Sequence, residues 1–377
     1  MATRDTAQQS LDAPVATIVA LSTTRGESSA APRSERNKML SFVPVLFAQA
    51  VPTGPYGSTT VQFTVETLDR TSHTLDVTYP TGTAAAGRSF PLVSYTHGLG
   101  DKGASSYPRL FSDLASWGYV IAAPLSCKDG CLSDCKTNLG DPPCFGDYYK
   151  ESFKVIEWAR SSQVAASLPL NRTSGVAVAG HSMGGQAALL AASDANVSSY
   201  GIKAALMHHA YTHIYPAIST VPFLAFTGTE DFTAPPAMAD KFFAAATVPQ
   251  RGLVNSRGAN HHEPTTDYRP EMALFSTAWL KVHLDQTPES DGMHWDDLIY
   301  GTGSDSLCGG GDGPLAECTL LPATHAAASA AATTVEASFY PDATPMPSPE
   351  ASPSPSPQPE ATPEPARAPV EAVHWTL

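Results

Sequence analysis

Short apolar runs recur along this chain at intervals that suit buried strands, separated by longer stretches of mixed polar and apolar residues that suit helices. Apolar runs at 91–96, 119–123, 176–179, 222–227 and 252–255 read as strands, each followed by a turn or loop carrying Gly, Asp, Asn or His. Between them, residues 107–117, 148–160 and 270–284 read as helices. Ahead of these, 61–65 and 75–79 read as two strands of an antiparallel start. The alternation predicts an α/β fold with a mostly parallel central sheet and helices on both faces.

The two ends break this pattern. Residues 1–38 are rich in Ser, Thr and Ala and carry acids at Asp5, Asp12 and Glu27, which suits neither a standard secretory signal nor an acid-poor transit peptide. Arg36-Asn37-Lys38 then precedes an apolar stretch ending in Ala48-Gln49-Ala50, the charge, apolar run and small-x-small order of a signal peptide. The competing reading is an apolar linker before the first strand. At the other end, 341–369 repeats Pro at alternate positions, as in Pro353-Ser354-Pro355-Ser356-Pro357, which removes backbone donors and predicts an extended stalk. Three segments follow: 1–50, targeting or disordered with a signal-like 36–50; 51–322, one globular domain; and 323–377, a low-complexity tail. No run of 18 apolar residues is present, so no transmembrane helix is expected.

Chemistry enters at Gly180-His181-Ser182-Met183-Gly184-Gly185, where the strand at 176–179 runs into a helix-forming Gln-Ala-Ala-Leu-Leu segment. A serine on such a turn, flanked by small residues that a crowded backbone requires, is the context of a nucleophile elbow. A bare Gly-x-Ser-x-Gly is a common turn, so the flanking strand and helix carry the reading. A neutral serine needs a base and a group to orient it, in the chain order Ser, acid, His. Asp231, in the loop after 222–227, is the candidate acid, with Glu230 as its rival. His261 or His262, in the loop after 252–255, is the candidate base. Acyl transfer also needs donors for the developing oxyanion. The backbone N–H of Met183 is one, and that of Leu99, in the loop after 91–96, is the other; His97 in that loop reads as a structural residue.

These motifs resemble the polyester-hydrolase and cutinase-like branch of the α/β hydrolases, relatives of dienelactone hydrolases and chlorophyllases. The resemblance runs from about Gly54 to about Cys318 and rests on the 180–185 elbow, the 228–236 acid loop and the 258–261 loop. It implies an α/β-hydrolase fold and a triad of Ser182, Asp231 and His261, the first of the two histidines. It also implies a strand at 203–207 ahead of an aromatic that stacks on substrate at Tyr211, with His181 as a second substrate-binding candidate. Cys308 and Cys318, flanking a Gly-rich loop, resemble the family's C-terminal disulfide. Leu99 stands where polyester hydrolases tend to carry an aromatic, and Met183 where plant chlorophyllases usually carry Arg.

The remaining composition narrows the picture. Six cysteines are an even number. Cys127, Cys131, Cys135 and Cys144 cluster, but gaps of three, three and eight residues lack the paired Cys-x2-Cys of common zinc sites, so two disulfides of open connectivity are expected. Asn171 and Asn196 head glycosylation sequons, meaningful for a secreted chain. A net charge of −14 without a Lys/Arg cluster argues against nucleic acid. No phosphate loop, cofactor fingerprint or metal-ligand pattern stands out. The expectation is a secreted or extracytoplasmic monomer, with a plastid location as the alternative. It would hydrolyse small or polymeric carboxylic esters by a serine mechanism, without cofactor or metal. A chlorophyllase-type esterase and a non-catalytic, wall-associated binding protein are the alternatives.

Overall fold

The computed structural model describes residues 51–66, 72–125, 147–285, 293–303, 306–309 and 314–322, all within a unit spanning Met1–Ala323. The signal-like segment, the four clustered cysteines and the Pro-rich tail lie outside the described residues.

Among the described residues nine strands form one sheet: β1 Gly57–Glu66, β2 Ser72–Thr81, β3 Leu92–Thr96, β4 Val120–Pro124, β5 Val176–His181, β6 Ile202–His208, β7 Phe223–Gly228, β8 Arg251–Ser256 and β9 Leu315–Leu321. Their order is β1-β2-β4-β3-β5-β6-β7-β8-β9. Strands β3 to β8 are mutually parallel, whereas β1 on β2, β2 on β4 and β9 on β8 are antiparallel. The antiparallel start and the parallel centre match the expected α/β-hydrolase fold.

Period-2 alternation sends successive side chains of each central strand to opposite faces. Val176 and Val178 of β5 enter one apolar cluster, Ala177 and Ala179 the other. On the first face pack α2 Lys150–Ser161, α3 Met183–Ser193 and α4 Pro236–Ala245, through residues such as Ile156, Leu189 and Phe242. On the second pack α1 Pro108–Ser116, α5 Pro270–His283 and α6 Trp295–Tyr300, through Phe111, Trp279 and Trp295. With both faces covered, the central strands are apolar on both sides, which is why they read as continuous runs.

Three elements escaped the sequence pattern: β9, α4 and α6. Strand β9 is a half-exposed edge carrying Glu317 and Thr319, and it is specified by its partner β8 rather than by alternation of its own. Helix α6 spans only six residues, too few to show a helical period. Cys308 is joined to Cys318 of β9, so the implied disulfide is present.

Candidate active site

In an open parallel sheet, side chains that act together gather at the carboxyl ends of the strands. Here the ends of β3, β5, β6, β7 and β8 converge on Ser182. The turn from β5 into α3 holds Ser182 at φ 55°, one of two described non-glycine residues in the left-handed region. Such backbone costs of order 1–3 kcal/mol and persists only where its surroundings enforce it. They do: a Cβ at Gly180 would lie 2.1 Å from the Gly184 carbonyl oxygen, and one at Gly184 would lie 2.0 Å from that of Thr96. The elbow glycines are therefore demanded by close backbone approach.

The expected acid and base arrive from the next two loops. Asp231 follows β7 and His261 follows β8, and the loops are tied by the Glu230 N–H donating to the Ala259 carbonyl at 2.9 Å. His261 Nε2 lies 2.9 Å from Ser182 Oγ, and its Nδ1–H donates to Asp231 Oδ2 at 3.0 Å. The carboxylate acceptor sets the proton on Nδ1, which leaves Nε2 to accept from the serine hydroxyl. Backbone N–H groups of Thr233 and Ala234 donate to Asp231 Oδ1 at 3.0 and 2.7 Å. Burial would raise the Asp231 carboxyl, but bonds from His209 and His261 outweigh it and hold the group well below the usual carboxylate range. The rival Glu230 and His262 are both exposed, and the imidazole that meets Ser182 Oγ is that of His261.

His181 lies beneath the site, not in its lining. It is buried, its Nε2–H donates to the His261 carbonyl at 2.9 Å, and its Nδ1 lies 3.0 Å from the Tyr107 hydroxyl and 3.3 Å from Asp101 Oδ2. Burial pulls its imidazole down to about 4 despite Asp101, so it is neutral at neutral pH. Asp101 is held at about 2 against its own burial by its contact with His181 and by the Tyr107 hydroxyl, which donates to its Oδ2.

Two further charged residues went unnoticed in the sequence. His209, just past β6 and also in the left-handed region at φ 47°, donates from Nδ1 to the same Asp231 Oδ2 at 2.8 Å. Its Nε2 meets Glu263 Oε2 at 2.7 Å. The available signal was positional: a His-His pair at the carboxyl end of a buried strand, where site residues collect. Ligand atoms of His209, Asp231 and His261 lie within 4.8 Å of one another. Their N···O separations of 2.8 and 3.0 Å are shorter than the roughly 3.3 Å between neighbouring ligands of a tetrahedral zinc. The trio is thus a hydrogen-bonded chain.

Ser182 and His261 open into a cavity of about 380 Å³ whose walls are Leu99, Met183, Tyr211, Thr233 and His262. Met183 is the first residue of α3, where backbone N–H groups lack intrahelical partners and the helix dipole favours negative charge. Leu99 faces it from the loop after β3. Phe232, beside Asp231 and Thr233, is 89% exposed at this end of the sheet. A larger cavity of about 500 Å³, between Tyr56, Arg88, Trp117 and Lys281, lies at the opposite end, away from the nucleophile.

No curated protein matches the chain significantly. Residues 50–291 match the family model for PETase, described as PET hydrolase-like. That match covers more than half of the 377 residues and takes in the whole sheet up to β8 together with Ser182, Asp231 and His261. The chain therefore belongs to the PET hydrolase-like family of α/β hydrolases.

Proposed function

We propose that this protein is a serine carboxylic-ester hydrolase working through an acyl-enzyme, with Ser182, His261 and Asp231 as its triad. The carrying observation is the unbroken Ser182–His261–Asp231 hydrogen-bond chain, at 2.9 and 3.0 Å, at the mouth of a mainly apolar cavity. Ser182 Oγ attacks the ester carbonyl while His261 Nε2 takes its proton; Asp231 holds the tautomer and stabilises the imidazolium. His261 passes the proton to the departing alkoxide, and the alcohol leaves. Water then repeats the sequence on the acyl-enzyme, releasing the acid and restoring Ser182. The backbone N–H groups of Leu99 and Met183 serve the oxyanion, and the N-terminus of α3 adds a favourable dipole.

Tyr211 is the aromatic wall against which an acyl or aryl group stacks. With Leu99 opposite instead of a second ring, the cavity suits acyl chains and polyester segments that need one aromatic face. His181 supports the site by holding the His261 carbonyl from below. The protein acts outside the cytoplasm as a monomer, glycosylated at the exposed Asn196 and at Asn171. Among the described residues no helix is long and apolar enough to cross a membrane.

The test is a panel of p-nitrophenyl esters of graded acyl length, a polyester film and chlorophyll, with Ser182→Ala as control. Short and medium acyl esters should turn over, with kcat lowered about 10³-fold or more in Ser182→Ala, Asp231→Asn and His261→Ala. A fluorophosphonate should label Ser182 in His262→Ala and fail in His261→Ala. Native turnover by Ser182→Ala would sink the mechanism, and no turnover of any ester in the panel by the wild type would return the chain to a binding role. Turnover of chlorophyll alone would select the chlorophyllase-type reading.

A further inference from the structure

The triad accounts for three of the ionisable groups at this end of the sheet and leaves His209 and Glu263 without a task. Both are buried, and each ring nitrogen of His209 meets a carboxylate oxygen, at 2.8 Å from Asp231 and 2.7 Å from Glu263. A neutral imidazole has one N–H, and its lone pair cannot face a carboxylate at such a distance. A proton must therefore stand in each contact, and with both carboxyls ionised the ring is a cation clamped between two anions. Neighbouring histidines differ because their partners differ. His208 meets the hydroxyls of Tyr95 and Ser276, which can donate or accept, at 3.2 and 3.1 Å, and its burial keeps it neutral.

We infer that His209 is a positioning residue of the triad, an imidazolium that shares the Asp231 oxygen used by His261, with Glu263 as its counter-charge. The inference rests on the ester-hydrolase reading of Ser182, Asp231 and His261. Two consequences follow from the geometry. First, Asp231 Oδ2 is bonded from two sides and Oδ1 from two backbone N–H groups, so the carboxylate cannot rotate away from His261. Second, a cation whose ring centre lies 6.2 Å from that of His261 opposes a second positive charge there. The left-handed turn at His209 is what aims the ring: its N–H donates to the Phe226 carbonyl at 3.0 Å, and two residues on the Tyr211 N–H donates to the Ser182 carbonyl at 3.0 Å. One turn thus links β6, β7 and the elbow.

The ionisable groups that face His209 are Asp231, His261 and Glu263, with His208 beside it and His181, paired with Asp101, across the elbow. Of these His208 and His181 are neutral at neutral pH, so the charge balance is set by Asp231, Glu263 and His209 itself.

The test pairs spectroscopy with kinetics. Nitrogen-15 NMR of histidine-labelled full-length protein at neutral pH should show one buried ring with both nitrogens protonated, a signal lost in His209→Gln/Glu263→Gln. The double change removes both charges, so neither is left buried alone. In that variant Ser182 should still be labelled by fluorophosphonate, while kcat for a soluble ester falls about tenfold with KM little changed, because Asp231 is freed to turn from His261. Glu263→Gln alone takes away one of the two carboxylates that hold the ring charged, so it should also lose the doubly protonated signal; it serves where the double variant does not fold. Absence of a doubly protonated ring in the wild type, or an unchanged kcat in a folded variant, would overturn the inference. Failure of the underlying reading has a separate signature, native turnover by Ser182→Ala, which leaves the NMR result unaffected.

Discussion

His181, His208 and His209 are all buried within a few ångströms of the elbow, and partner chemistry alone separates their charge states. Burial disfavours an imidazolium at each position. Only at His209 do two carboxylates reverse that penalty and raise the group above the ordinary histidine value. A raised folded-state value stabilises the fold fully below the unfolded value of about 6.5, and that contribution is lost as pH rises through the folded value. Asp231 works in the opposite sense, since its depressed carboxyl stabilises above about 3.9 and the gain is lost as pH falls. His181, held at about 4, takes up its proton only after unfolding between about 6.5 and 4, so stability also falls there. Denaturant midpoints should therefore decline on both sides of neutrality. The alkaline decline should be shallower in His209→Gln/Glu263→Gln; the same slope in both proteins would count against a charged His209.

At the scale of elements, the site depends on how β8 is held, because the loop after it carries both His261 and Glu263. Strand β7 pairs on one edge and β9 on the other. The second of these is fastened by the Cys308–Cys318 bond, which closes a sequence separation of 10. A loop of that size limits the unfolded chain enough to stabilise the fold by about 2–3 kcal/mol. Cys308→Ser should lower the denaturant-derived stability by that amount while leaving most of the short-ester kcat, since Asp231 and Ser182 lie on other strands. Identical midpoints for Cys308→Ser and the wild type would show that β9 holds β8 without the bond. The elbow is self-contained by comparison, because β5 and α3 are bound by close backbone contact at Gly180 and Gly184.

At the scale of the whole molecule, the described sheet, helices and site all fall between residues 51 and 322. A chain cut to 51–322 should fold with a single cooperative transition and hydrolyse short esters at a rate within a few-fold of the full protein. Loss of turnover in a folded truncation would assign the outer segments a part in the site. The class of fold was legible because apolar strand runs and the helical stretches between them are local patterns. So were Ser182, Asp231 and His261, since each sits in a loop directly after a buried strand and the fold orders those loops in sequence. The short β9 and α6 were not legible, because a half-exposed edge strand and a six-residue helix take their conformation from neighbours. Composition and order along the chain thus determined the architecture and the three groups of the proposed triad. Only the tertiary structure decided that His181 lies under the site rather than in its lining. It alone placed His209 and Glu263 around the far side of Asp231, because hydrogen-bond partners and charge states are set by distances between residues far apart in sequence.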